Sequence, residues 1–138
     1  MIIRASGKNK VIYLPKKVST TFQNGEAVLG DGSGAVEPVN ATTDVNLLGV
    51  TLKEVLATDS DYATAGAKIM LDQFDPTDLF FADVITGTLT TAMIGTKVDL
   101  DATGAGIDVS STATGQAVIV GFVSSTKAII RFSSGDIA

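Results

Sequence analysis

The chain contains no cysteine, no histidine and no tryptophan. Without cysteine there is neither a disulfide nor a thiolate metal site. Without histidine the commonest general base, the commonest metal ligand and the usual pH switch are missing together. A Ser-His-Asp arrangement is therefore unavailable. Charged residues are also scarce, at 18 %, and the mean hydropathy is positive, at +0.34, which is not the composition of a disordered chain. No apolar run approaches the roughly 18 residues that span a bilayer, so no membrane association is expected. The basic start is not followed by an apolar stretch, and a secretory leader is not expected either.

What is present leans toward strands. Val, Ile and Thr supply 42 of the 138 residues, and β-branched side chains lose freedom in helices but pack well on a pleated surface. Fourteen glycines, with Asp, Asn and Ser near them, provide turns. The length suits one domain with a core of its own. These features predict an all-β fold, a small β-sandwich or partly open β-barrel of short antiparallel strands.

Charge is unevenly placed. The formal net charge is -5, yet Arg4, Lys8, Lys10, Lys16 and Lys17 precede the first acid, Glu26. Such asymmetry suggests a segment with its own task. The expected organisation is an extended N-terminal arm, residues 1–20, and a single β domain, residues 21–138. No internal repeat is evident.

Along the body, "EAVL" (26–29) and "AVEPV" (35–39) flank the flexible reversal "GDGSG". Residues 47–59 fit a strand with Leu48, Val50, Leu52 and Leu56 on one face, or a helix with a stripe through Leu47, Leu48, Leu52, Val55 and Leu56. Gly49, Val50 and Thr51 weaken the helix, and a strand is expected. "KIMLDQF" (68–74) and "LFFADVI" (79–85) read as strands around the turn "DPTD". In "TKVDLD" (96–101), Val98 and Leu100 point inward and Lys97, Asp99 and Asp101 outward. "IDVSS" (107–111) alternates likewise. "AVIVGFV" (117–123), apolar on both faces, is a central strand. It is joined by "SST" to "KAIIRF" (127–132), with Ala128, Ile130 and Phe132 inward.

Chemistry-bearing patterns are few. Ser33 in "GDGSGA" does not form G-x-S-x-G. "GTK" and "GAG" lack the spacing and the following helix of a phosphate loop, and no cofactor is expected. Asp99, Asp101 and Asp108 faintly echo a calcium loop but lack its later ligands, and a solvated hairpin, with Asp99 and Asp101 outward on a strand, is expected in place of a metal site. The same three acids are the only candidates for carboxylate catalysis, and an enzyme is not expected. The basic segment has only Tyr13 as an aromatic companion, and the acidic body would repel phosphates, so no nucleic-acid partner is expected.

The order of segments carries a resemblance. "LLGVTLKEVLATD" is followed by "AKIMLDQFDPTDLFFADV", then "MIGTKVDLDATGAGIDVSST" and finally "GQAVIVGFVSSTKAIIRF". Over residues 22–132 this resembles the capsid decoration proteins of tailed bacteriophages, also called cement or auxiliary head proteins. The motifs are hydrophobic and turn patterns and bring no active site with them. The resemblance implies a virion structural protein on the outer capsid surface. It would bind the major capsid protein at joints between subunits and stabilise the shell. It also implies a homo-oligomer, a trimer in preference to a dimer. The alternative is another phage surface module, such as a head-fibre base or a tail-associated β domain. On this reading the docking residues lie in the arm: Ile2, Ile3, Arg4, Lys8, Lys10, Val11, Ile12, Tyr13, Leu14, Lys16 and Lys17. "KVIYL" would add to a neighbour's sheet edge, and the lysines would complement an acidic surface.

Overall fold

The computed structural model describes residues 1–138. It contains eleven strands: β1 (Ile2–Arg4), β2 (Val11–Pro15), β3 (Ala27–Gly30), β4 (Val36–Pro38), β5 (Leu47–Thr51), β6 (Lys68–Gln73), β7 (Phe80–Thr86), β8 (Lys97–Leu100), β9 (Ile107–Asp108), β10 (Ala117–Ser124) and β11 (Lys127–Phe132). Two single 3₁₀ turns, Thr91–Met93 and Ser134–Asp136, are the only helical elements. The all-β expectation holds, and the ambiguous 47–59 segment begins with a strand.

The strands form two sheets. In one, β7, β11, β10, β8 and β9 follow one another, and β9 returns to β7 in parallel, closing a five-stranded barrel. β1 lies against the front half of β7, on the edge that β9 uses further along. The other sheet runs β2-β6-β5-β3-β4, antiparallel throughout. Its ends meet at one parallel bridge, Lys16 to Val36.

The two units share one topology. Strands two to six pair in the same order as strands seven to eleven, and the registers agree. Tyr13 lies opposite Met70 as Phe81 lies opposite Ile129. Val28 lies opposite Gly49 as Val98 lies opposite Ala117. Gly30 lies opposite Val36 as Leu100 lies opposite Ile107. The closing bridges, Lys16–Val36 and Val84–Ile107, also correspond. Even the hairpin tips match: Asp31 accepts hydrogen bonds from the amide and hydroxyl of Ser33, and Asp101 from those of Thr103. This corrects the expectation of no internal repeat. What repeats is pairing geometry, which tolerates almost any apolar residue at an inward position, so few identities survive.

Alternation places the cores. Phe22, Val28, Val36, Val55, Ile69 and Leu71 fill the first unit, with Ile12 and Leu14 packed against them. The larger core is the interior of the second barrel, extended by Ala27, Val39, Leu47, Val50 and Phe74 from the first. The units are thus joined by buried apolar surface, the dominant favourable contribution to such contacts. The tip of the β8–β9 hairpin also docks on β3, where the Ala27 amide donates to the Gly104 carbonyl at 2.8 Å. Gly104 has φ +71, and a Cβ there would lie 2.9 Å from the Val39 Cβ. Only glycine suits both the conformation and the space.

Segments at both ends of the chain cross between units. Ile2–Arg4 belongs to the first unit in sequence but pairs with Phe80–Ala82 of the second. Ile137 bridges to Leu47 of the first unit, and the Ala138 amide donates to the Leu47 carbonyl. The expected division into a 1–20 arm and a 21–138 domain is therefore corrected. Residues 1–20 supply β1 and β2, and Ile2 is fully buried. The error arose because strands of three and five residues beside a cluster of lysines carry too little periodicity to mark them as core.

Two smaller expectations also change. Asp99 does not face outward but is fully buried beside Val98 and Leu100. Phe122 and Val123, assigned to a central strand, are exposed where β10 runs past two register shifts. Deletion of residues 1–20 should abolish cooperative thermal unfolding followed by circular dichroism. A sharp transition in the truncated chain would show that β1 and β2 are dispensable.

Candidate functional surface

The residues singled out near the start of the chain separate into three groups. Arg4 is the most constrained. Its side chain is 3 % exposed and faces two carboxylates. Nη2 and Nε donate to Asp72 at 2.7 and 3.0 Å, Nη1 approaches Asp78 at 2.9 Å, and Nη2 also donates to the Gln73 carbonyl at 3.0 Å. The guanidinium centre stands 5.1 Å from the centroid of the Phe80 ring, within cation–π range. The hydrogen bonds from Arg4 to Asp72 raise its already high pKa despite burial. Burial pushes the Asp78 carboxyl upward, but Arg4, the Asp75 amide and Lys10 outweigh it and hold the group below its ordinary value. Beneath this network Phe74 stacks on Phe132 at 4.1 Å, and Phe80 meets both edge-on.

Three of the four lysines of this segment are occupied within the chain. Lys10 pairs with Asp75 at 2.6 Å and Asp78 at 3.1 Å, and its hydrogen bond is the first cause that lowers Asp75 to about 2. Lys17 pairs with Glu37 at 2.7 Å. Lys16 is 1 % exposed, and its ammonium donates to the carbonyls of Asp61 and Tyr62. Lys8 lies exposed in the loop between β1 and β2. Of the proposed docking residues, Ile2, Arg4 and Lys16 are therefore internal, and Ile12 and Leu14 pack on the first core. The assignment of these five as surface contacts is corrected by their burial. Ile3, Lys8, Lys10, Val11, Tyr13 and Lys17 remain exposed.

The three aspartates considered for a cation do not converge. Asp99 accepts from the Ser111 hydroxyl and from the amides of Thr114 and Gly115. Burial works against its ionisation, but these donors prevail and lower its pKa. Asp101 serves the hairpin tip, and Asp108 accepts from the amide and hydroxyl of Ser110. No three acids in the chain stand together in a way that could hold a metal ion. The turn-building roles of Asp101 and Asp108 are visible in D-x-[ST] spacing. That of Asp99, which reaches a turn twelve or more residues away, is not.

Sequence reasoning missed Glu26. It is 5 % exposed, and its carboxylate receives one long hydrogen bond, 3.4 Å from the Gln23 amide. Burial pushes its pKa up to about 7. It lines an open depression with Lys17, Thr20, Gln23, Glu37 and Thr103.

The surface also carries apolar rows fixed by strand register. Ile3, Phe81, Ile129 and Gly121 lie side by side across β1, β7, β11 and β10 on the outward face. Ile3 is 46 % exposed, while Phe81 and Ile129 are half-buried. The corresponding row of the first unit runs from Tyr13 to Met70 and on to Leu52 beyond β5. Tyr13 is 59 % exposed. No protein-family model matches the chain, and no curated protein matches it.

Two outcomes follow. Arg4→Ala leaves Asp72 buried and unpaired, and should cost about 3–5 kcal/mol in chemical denaturation. For Glu26, a folded pKa above the ordinary 4.5 means the folded chain retains a proton that the unfolded chain releases. Stability should fall as pH rises between about 4.5 and about 7, by up to about 3 kcal/mol. Glu26→Gln should flatten that slope and raise the thermal midpoint above neutral pH. An unchanged slope would mean that the Glu26 carboxyl titrates normally.

Proposed function

We propose that this protein is a virion structural protein that attaches to the outer surface of an assembled phage head. It binds at joints between major capsid protein subunits and stabilises the shell. The observation that carries this reading is the outward row Ile3–Phe81–Ile129 on a closed, internally ion-paired scaffold. The buried Asp72, Asp78 and Asp99 are engaged by neighbouring donors, and most cations of residues 1–17 are held by partners within the chain. What the molecule offers to others is shaped surface, and attachment requires affinity without chemistry. The segment resemblance over residues 22–132 supplies the identity of the partner.

Attachment on this reading uses the face of the sheet, not a flexible arm. It also relies on apolar contact more than on lysines, because Lys10 and Lys17 are neutralised in place. Labelled protein should co-sediment with mature, expanded heads to a saturating stoichiometry, with little loss at raised ionic strength. Ile3→Asp, on the exposed row, should weaken binding about tenfold or more if that residue is central to the contact. Failure to co-sediment with heads would overturn the proposal. Co-sedimentation with tails alone would favour a tail-associated module instead.

A further inference from the structure

The correspondence between the two units exposes a vacancy. On β7, residues Leu79, Phe81 and Asp83 direct their main-chain groups toward β1: the Ala5 amide donates to the Leu79 carbonyl, and the Asp83 amide to the Met1 carbonyl. Register places Val11, Tyr13 and Pro15 of β2 at the same three positions. On β2 the opposite edge belongs to β6, where the Gln73 amide donates to the Lys10 carbonyl and the Lys16 amide to the Ala67 carbonyl. Even-numbered residues therefore serve β6, and the main-chain groups of Val11 and Tyr13 face away from it. β2 pairs with no other strand, and the free stretch ends at the bridge from Lys16 to Val36, which engages the Pro15 carbonyl and the Lys17 amide. The first unit thus keeps open the edge that β1 fills on the second.

We infer that β2 pairs edge to edge with β2 of a second copy, antiparallel about a twofold axis at Ile12. The open edge reads the same from either end of such a pair. The Val11 amide of each copy donates to the Tyr13 carbonyl of the other, and the Tyr13 amide to the Val11 carbonyl, each bond made twice. Pro15 has no amide proton and its carbonyl faces the Val36 amide in the closing bridge, so no free group of the edge goes unmatched. The apolar row Leu52–Met70–Tyr13 then meets the exposed Val11 of the second copy, and the reverse, which is the self-complementarity that a twofold interface requires.

Three further features favour a second copy. Edge strands are ordinarily blunted by charge, yet Val11 is 45 % and Tyr13 59 % exposed. The lysines flanking the strand would otherwise repel their counterparts, but Lys10 and Lys17 are already paired with Asp75, Asp78 and Glu37. The Tyr13 hydroxyl donates to the Met70 sulfur at 3.4 Å, which holds the ring along the sheet and away from an approaching strand. The association is a dimer where the family resemblance implies a trimer, and it does not depend on capsid binding.

Light scattering coupled to size exclusion, on the full chain without capsids, tests this directly. The wild-type chain should elute with the mass of a dimer. Val11→Pro removes an edge amide that the chain itself does not use, and Tyr13→Lys places like charges on either side of the axis. Both should give monomers with an unchanged thermal midpoint at low concentration. Amide exchange at Val11 and Tyr13 should be slow in the wild type and fast in Tyr13→Lys, while Ile12 and Leu14 stay protected in both. A wild-type monomer at the highest reachable concentration would overturn the inference. So would an oligomer that survives both substitutions, or a monomer whose Tyr13 amide becomes protected only when a peptide of residues 1–5 is added.

Discussion

The ion network around Arg4 joins three parts of the chain that no single sheet connects. Arg4 sits on a strand of the second sheet, Asp72 on a strand of the first, and Asp78 in the segment that leads from one to the other. A buried guanidinium without both carboxylates would carry a desolvation cost of several kcal/mol. The same holds for Asp72, which is 2 % exposed and also receives the Lys10 amide. Geometry is therefore fixed by mutual need: β1 must lie on β7, and β6 must present Asp72 beneath it. The stacked Phe74 and Phe132 occupy the space that this arrangement encloses.

The rest of the molecule varies one plan around that constraint. Each unit has five strands in the same order and closes with a parallel contact, but the closures differ in completeness. The second barrel closes through β9 and gains β1 as a sixth strand. The first closes at a single bridge and leaves β2 uncovered. Inward residues differ in size to match: Phe80 and Ala82 stand where the first unit has Ile12 and Leu14.

Much of the strand pattern was legible in the sequence, because period-two alternation is strong in "KAIIRF", "KIMLDQF" and "LFFADVI". Hairpins were legible wherever glycine and aspartate supply turn chemistry. Three things were not. Ile2–Arg4 is too short to show a period, and its basic residue suggested solvent although a charge buried with partners looks the same in sequence. Asp99 sits in an alternating strand as if outward, and only the fold brings residues 111–115 around its carboxylate. The repeated topology was hidden because sheet registers constrain which residues face each other and not which residues they are. The surface was the least legible part: Lys10 and Lys17 are sequence-adjacent to exposed positions, but their partners lie twenty or more residues away.

The crossing of Ile2–Arg4 and Ile137–Ala138 between the two units has a bearing on synthesis. During translation the first unit emerges with its leading strand unmatched, since residues 80–82 are still to be made. Leu47 in turn waits for the amide of Ala138. Neither unit can reach its final pairing while the other is still in the ribosome. Such long loops close slowly compared with local hairpins. The nascent chain accordingly has a long interval in which Arg4, Asp72 and several sheet edges are exposed at once, and its yield in a cell should respond to elongation rate and chaperone supply more than its final stability would suggest.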